Sequence, residues 1–169
     1  MKTKIIFFTF LLTSLSAFAQ QNGLEINGWT NINTFKCTES QFKNSPSVYS
    51  FSGMKLPNLI FKIINFDCGN RMMTADFRKT LQSDKFPNLT IKFLEFKKTS
   101  ATKFQAVVEV KMMTVSRNYN IDFTYYKNSL VGNKRLKFSD FQIVPPRRMG
   151  GMVYVKDELD LVFSLSTDD

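Results

Sequence analysis

The side chains that usually carry acid–base and metal chemistry are scarce in this chain of 169 residues. It has no histidine, which is the usual general base and the commonest metal ligand. Its two cysteines, Cys37 and Cys68, are too few for a zinc or iron–sulfur cage and too far apart for a catalytic CxxC motif. The carboxylates Glu158 and Asp160 share one face of a predicted strand, but nothing in the sequence identifies a substrate for them. We therefore predict no catalytic residue, no metal site and no enzymatic activity.

Aromatic side chains are abundant instead, with 18 phenylalanines in the chain. Many rings without histidine favour packing or an apolar pocket over acid–base catalysis. A tunnel for a long apolar ligand needs such a lining, because binding is driven mainly by removing apolar area from water. The same side chains would equally form the core of a small barrel, and the pattern leaves both interpretations open. The lumen candidates are Phe61, Ile63, Phe93, Val108, Val110, Ile121, Phe123 and Phe138 on strands, with Phe77 and Leu81 on a short helix at one end.

Basic residues outnumber acidic ones and give a formal net charge of +9. The pairs Lys97-Lys98 and Arg147-Arg148, with the group Lys134-Arg135-Lys137, could make a weak contact with an anionic membrane surface, worth about 1 kcal/mol per residue. The alternative is that they are solvated strand edges that discourage aggregation. No nucleic-acid recognition motif is present, so we expect no nucleic-acid partner.

The N-terminus resembles a secretory signal. Two lysines precede an apolar run at residues 5–12, and a small-x-small cleavage pattern stands at 17–19. This predicts a cleaved signal peptide over 1–19, a single domain over 20–169, and a periplasmic or secreted protein. An uncleaved anchor is the alternative, although the run is short for a membrane span.

Export changes the expectation for the two cysteines. Thiols in an oxidising compartment are usually paired, so Cys37 and Cys68 are disulfide candidates. Such a bond would close a loop of about thirty residues and contribute about 3–4 kcal/mol on the chain-entropy model. The alternative is a pair of reduced, buried cysteines.

Alternation of apolar and polar residues with a period of two recurs along the chain and predicts about eight strands. Residues 59–64 are apolar on both faces, which predicts a central strand. A helical spacing over Thr74–Leu81 predicts one short helix with Thr74 as its N-cap. Eight antiparallel strands suit either a closed barrel or a sandwich, and the pattern does not separate them. The predicted strands are 25–37, 48–51, 59–64, 89–93, 104–112, 119–125, 136–143 and 153–165.

Four stretches, in order, resemble the YceI-like family of exported lipid-binding proteins, and together they cover about two-thirds of the chain beyond the signal. They are a helix end leading to an aromatic-Pro pair and a strand (Asp76–Pro87 with Thr90–Phe93), a hairpin (Val108–Tyr119), a "DFxI" segment (Leu136–Ile143) and a "VxDxLxL" strand (Val155–Leu161). The resemblance implies an all-β fold with one short helix, an antiparallel eight-stranded lipocalin-like β-barrel. It also implies a lumen that holds a polyisoprenoid chain, such as an isoprenoid quinone, and no other cofactor.

These observations lead to three functional hypotheses. The first is an exported carrier or buffer that holds an isoprenoid or other long-chain amphiphile in the barrel lumen. The second is a filled barrel that acts as a structural or protein-interaction module of the cell envelope. The third is an enzyme acting on a bound lipid, which would require polar groups such as Arg117, Tyr119, Tyr125 and Asp140 to converge at the lumen.

Overall fold

The computed structural model describes residues 22–39, 56 and 58–167. The predicted signal peptide and the strand predicted at 48–51 lie outside these residues. The secondary-structure elements are β1 (Gly23–Thr30), β2 (Thr34–Glu39), β3 (Leu59–Lys62), α1 (Arg71–Thr80), β4 (Asn88–Lys98), β5 (Lys103–Met112), β6 (Val115–Tyr126), β7 (Ser129–Lys137), β8 (Arg147–Arg148) and β9 (Val153–Ser166). Short 3₁₀ turns lie at Ile63–Asn65, Phe138–Phe141 and Met149–Gly151.

The strands form one curled antiparallel sheet in the order β2-β1-β9-β7-β6-β5-β4-β3, and the short strand β8 pairs with the start of β9. Within the described residues, eight strands on one continuous path with a single α-helix confirm the predicted all-β, barrel-type architecture. The predicted alternation holds best in β5, where Phe104, Ala106, Val108, Val110 and Met112 are buried and the residues between them are not. A period of two places those side chains on the concave face, because successive residues of a strand point to opposite sides.

The sheet's open side is bridged between β2 and the segment that follows β3. Thr38 and Asp67 exchange two backbone hydrogen bonds of 2.8 and 3.0 Å. Beside them, Cys37 and Cys68 form a disulfide, with their Cα atoms 3.9 Å apart. The predicted pairing of the two cysteines is thus present in the structure. It joins the two ends of the sheet, where unpaired strand edges would otherwise be left.

Aromatic rings pack on one another inside the barrel. Phe123 is buried, and its ring lies 5.9 Å from that of Phe93 and 5.8 Å from that of Phe163. Gly132 pairs with Phe123 across β6 and β7, and a Cβ added there would lie 2.5 Å from a carbon of the Phe123 ring. The glycine therefore provides the space that the ring occupies.

The predictions of one strand over residues 25–37 and of a helix that begins at Thr74 are wrong. Residues 25–37 form two strands joined by a turn, because Thr30 accepts hydrogen bonds from the backbone of Ile32 and Asn33. The helix begins at Arg71 instead of near Thr74, because the Asn70 side chain caps the first amide groups.

The predicted strand over 136–143 is also wrong, because β7 ends at Lys137 and a 3₁₀ turn follows. The Asp140 carboxylate accepts a hydrogen bond from the backbone N–H of Lys137, and Gln142 takes a left-handed conformation that a strand excludes. Residues 59–64 were expected at the centre of the sheet. Among the described strands, β3 lies at the edge, and Ile60 and Ile64 are exposed.

Candidate ligand-binding site

The structure brings all ten predicted lumen residues together. Nine of them are buried in one core cluster, and Phe93 is partly buried against it. Phe77 connects the helix to this cluster, since its ring lies 5.2 Å from that of Phe66, which in turn lies 6.5 Å from that of Phe61. These side chains pack on one another, and their contact with a ligand stays a prediction.

A cavity of about 940 Å³ lies at the helix end of the barrel. We call it the end cavity. Its walls are the β1–β2 turn and β2, the disulfide region, the first turns of α1, and the segment from β8 to β9. Its apolar lining consists of Ile32, Phe35, Met72, Met73, Met149 and Val153, with Cys68 of the disulfide.

Local geometry presents these side chains to the end cavity. Asn70 accepts hydrogen bonds from the backbone of Met72 and Met73, at 2.9 and 3.2 Å, and so fixes both methionines in the first turn of α1. On the opposite wall, the ring of Phe35 lies against Gly28, where an added Cβ would be 2.2 Å from the ring. A glycine at this position is therefore required for Phe35 to lie where it does.

An ion pair joins α1 to β8 at the border of the end cavity. The guanidinium of Arg148 donates two hydrogen bonds to the carboxylate of Asp76, with Nε 3.0 Å from Oδ2. The hydrogen bond, followed by the charge of Asp76, raises the pKa of Arg148. Two parallel hydrogen bonds of this kind are the arrangement in which arginine recognises carboxylate or phosphate.

A second cavity of about 460 Å³ lies on the other side of the same ion pair. We call it the basic cavity, because Lys79, Arg147 and Arg148 line it together with a single carboxylate, that of Asp76. The rest of its wall is formed by the end of α1 with the residue that follows at 82, by Met113 between β5 and β6, and by the segment after β7, including Val144 and Pro146. Asp76 and Arg148 line both cavities, so the ion pair stands between an apolar space and a cationic one.

The four polar residues that an enzyme hypothesis requires do not converge. Tyr119 donates a hydrogen bond of 3.2 Å to Asp140, and burial followed by the negative charge of Asp140 raises the pKa of this tyrosine. Tyr125 contacts Asn128 instead, and it lies six residues further along β6, about 20 Å away. Arg117 donates to a neighbouring backbone carbonyl. Tyr119 and Asp140 form a local pair, and no combined site results.

Several of the basic residues that were predicted to contact a membrane contact other residues of the sheet. Arg135 donates two hydrogen bonds to Asp160 and lies over the Trp29 ring. Lys134 donates to a backbone carbonyl of β6, and Lys98 lies over the Phe104 ring. In the described part of the chain no helix has the length and apolar character needed to cross a bilayer. Contact with an anionic membrane surface stays a prediction.

The family model for the YceI-like domain matches residues 32–167, which is most of the chain. The chain belongs to the YceI-like family. This confirms the resemblance seen in the sequence, and the matched region contains β2 to β9, the helix, the basic cavity and all of the end cavity's lining except Thr30. A search of the curated proteins finds no match.

Solved structures that are similar to this chain share its fold at low sequence identity. BcnA of Burkholderia cenocepacia is similar with a TM-score of 0.65 and 13% identity, over 86% of this chain and 95% of that one. A mutant YceI protein of Campylobacter jejuni has a TM-score of 0.57 and 16% identity, over 76% and 83% of the two chains. A polyisoprenoid binding domain from Saccharophagus degradans has a TM-score of 0.56 and 8% identity, over 86% and 94%.

Sequence reasoning missed the end cavity, although it noted Met72 and Met73 as side chains that could fill a gap or line an apolar site. Ile32 and Met149 are each 68% exposed at the cavity. Both stand inside turns rich in Asn or Gly, where polar residues are usual. A large apolar residue at the tip of a polar turn was the available signal. Its role as a cavity wall is visible only in the folded chain, where the β1–β2 turn, the start of α1 and the turn at Met149–Gly151 come together.

Proposed function

We propose that this protein binds an isoprenoid or other long-chain amphiphile and holds its apolar chain in the end cavity. The observation that carries the proposal is an apolar cavity of about 940 Å³ at one end of a YceI-like barrel. Small-molecule sites usually measure about 300–1,000 Å³ and are lined mainly by apolar groups with a few polar ones at the rim. The structural similarity to a domain that binds polyisoprenoids supports this ligand class.

The same proposal gives the protein the role of a carrier or buffer in the periplasm or outside the cell. The disulfide supports an exported protein, because such bonds persist in oxidising compartments. Methionine suits a site that takes up flexible chains, because its unbranched thioether adapts to differently shaped ligands. Met72, Met73 and Met149 together give the end cavity such a lining.

The second candidate is a filled barrel that serves as a structural or protein-interaction module of the envelope. One observation favours it, namely the close packing of Phe123 against Phe93, Phe163 and the backbone of Gly132 at the barrel centre. The two candidates differ in one respect: only the carrier requires a ligand in the end cavity.

Organic extraction of the purified protein, followed by mass spectrometry, tests the carrier proposal. We expect a copurified long-chain lipid, or uptake of one by protein that has been stripped of lipid. Met72→Trp places a bulky ring at the cavity wall and should lower the lipid recovered. Met152→Trp is the matched control, since both methionines are exposed to a similar degree, 66% and 68%, and Met152 is outside the described lining.

A protein that repeatedly yields no lipid and takes up none would refute the carrier. Equal lipid recovery from the Met72→Trp and Met152→Trp variants, with both proteins folded, would show that the lipid is not bound in the end cavity. Circular dichroism and the urea midpoint of each variant establish that the fold is intact.

A further inference from the structure

We infer that the amphiphile bound by this protein carries an anionic head group, a phosphate or a carboxylate, which the basic cavity holds while the end cavity holds the chain. This inference rests on the proposed function, since it requires an apolar chain in the end cavity. It adds the chemistry of the head group and the residues that bind it, which are Lys79, Arg147 and Arg148.

The placement of the two cavities carries the first step. They share one pair of wall residues, Asp76 and Arg148, so they adjoin at that ion pair. The surface of the end cavity is mainly apolar, from aliphatic, thioether and aromatic groups, whereas the basic cavity has three cationic side chains and one carboxylate beside uncharged residues such as Gln142, Ile143 and Val144. A ligand whose chain lies in the end cavity can place its head at this border. The adjacent surface there is basic.

The charge balance carries the second step. Asp76 neutralises Arg148, but within the described residues neither Lys79 nor Arg147 forms an ion pair with a carboxylate. Arg147 lies over the Tyr154 ring, with 5.7 Å between the guanidinium carbon and the ring centroid, and this contact holds its side chain beside the cavity. The basic cavity therefore has an excess of two positive charges. A head group with one or two negative charges would balance that excess.

The geometry of the ion pair carries the third step. Asp76 occupies Arg148 through two hydrogen bonds, as an anionic ligand would. The arginine is 55% exposed and the aspartate 18%, so an incoming head group can reach the guanidinium from the solvent side. Asp76 is then a competitor for Arg148. Its removal should strengthen anion binding, whereas removal of a residue that only braces the fold would weaken it.

Binding of two probes with the same chain separates head-group recognition from chain recognition. We would measure the affinity of lipid-stripped protein for geranylgeranyl phosphate and for geranylgeraniol at low salt, with inorganic phosphate alone as a third probe. The phosphate-bearing lipid should bind about tenfold more tightly than the alcohol, and the preference should fall as salt rises, because exposed charge pairs are weak and screened. Inorganic phosphate should bind far more weakly than either lipid.

Variants then test the named residues. Lys79→Gln with Arg147→Gln should abolish the preference for the phosphate head, so that geranylgeranyl phosphate binds no more tightly than geranylgeraniol. Lys97→Gln with Lys127→Gln removes the same charge at positions outside the described cavity linings, and should retain most of the preference. Asp76→Asn should increase severalfold the ratio of the affinity for geranylgeranyl phosphate to that for geranylgeraniol.

The outcomes separate this inference from the proposed function. Equal binding of the two lipids would overturn the anionic head group and leave lipid binding in place. An equal loss of preference in both double variants would also overturn it, since net charge alone would then account for the effect. Inorganic phosphate binding as tightly as the lipid phosphate would show a free-anion site instead. Binding of neither lipid would refute the inference together with the proposed function.

Discussion

Replacement of Gly132 by alanine tests whether the barrel centre is filled. The added Cβ would lie 2.5 and 2.6 Å from two carbons of the Phe123 ring and 3.0 Å from a third. Phe123 is 1% exposed, and rings stand on two of its sides, those of Phe93 and Phe163. The ring therefore has to move against packed neighbours, or the strand has to shift.

The expected cost follows from two opposing effects. A glycine-to-alanine change stabilises a protein by about 0.4–1 kcal/mol where the backbone and the space allow it, because it restricts the unfolded chain. Forcing an extra methyl group into a packed core costs about 1–3 kcal/mol. Gly132→Ala should therefore lower the free energy of unfolding by about 1–2 kcal/mol, which lowers the Tm by about 2–8 °C in a domain of this size.

Urea unfolding followed by tryptophan fluorescence and circular dichroism measures this cost, and Gly23→Ala is the matched control. A Cβ at Gly23 would lie 3.6 Å from its nearest neighbour, an ordinary contact, so that variant should be as stable as the parent or slightly more stable. Trimming the opposing ring with Phe123→Leu in the Gly132→Ala protein should recover part of the loss. The two changes should not be additive, because the side chains contact each other.

A Gly132→Ala protein as stable as Gly23→Ala would refute the packing argument. The Phe123 ring would then have free space to turn into, and the lumen would be open at this level. That result would also weaken the filled-barrel hypothesis and favour a chain that runs deeper than the end cavity.

Three further predictions concern the disulfide, Tyr119 and the turn after β7. Replacing Cys37 and Cys68 by serine should lower the unfolding free energy by about 3–4 kcal/mol, because the bond closes a loop with a sequence separation of 31; urea midpoints with and without reductant measure this. Tyr119 has a raised pKa, so folding favours its neutral form. The resulting contribution to stability is complete below the ordinary tyrosine pKa and is lost as the pH rises through the pKa of Tyr119 in the folded protein. An ultraviolet pH titration should show one late-ionising tyrosine, which Tyr119→Phe removes. Asp157→Ala should cost about 1–2 kcal/mol in urea unfolding, because the carboxylate accepts hydrogen bonds from the backbone and hydroxyl of Ser139 at the start of a 3₁₀ turn.

Each of these has a result that would contradict it. Unchanged urea midpoints on reduction would show that the Cys37–Cys68 disulfide does not contribute to stability. A late-ionising tyrosine that persists in Tyr119→Phe would assign the raised pKa to another residue. For the turn, Asp157→Asn keeps one acceptor oxygen and should lose less stability than Asp157→Ala, and equal losses would exclude the hydrogen bonds as the cause.

Much of this fold follows from local pattern. The alternation in β5 placed Phe104 to Met112 on one buried face, because the period of a strand is fixed by backbone geometry and needs no knowledge of neighbours. The pairing of Cys37 with Cys68 followed from their number and the predicted export. The resemblance of four ordered motifs gave the family, which the match over residues 32–167 confirms.

The errors arose where hydrogen bonds of polar side chains, which the apolar spacing does not show, decide the backbone conformation. Asp140 and Gln142 turn the chain into a 3₁₀ segment after Lys137, although the apolar spacing there is compatible with a strand. Asp157, which breaks the apolar face of β9, accepts hydrogen bonds from Ser139, a residue 18 positions away. Such contacts depend on register between elements, which the sequence pattern does not specify.

By itself, the sequence determined which residue types are available, with no histidine and 18 phenylalanines, and indicated an antiparallel barrel of the YceI-like family. Only the tertiary structure decided how those rings are used. Gly132 lets Phe123 fill the centre, because a missing side chain on one strand and a large one on its neighbour meet only when the strands are paired. The end cavity exists for the same reason, since its walls come from turns that are far apart in the chain and adjacent only in the folded barrel.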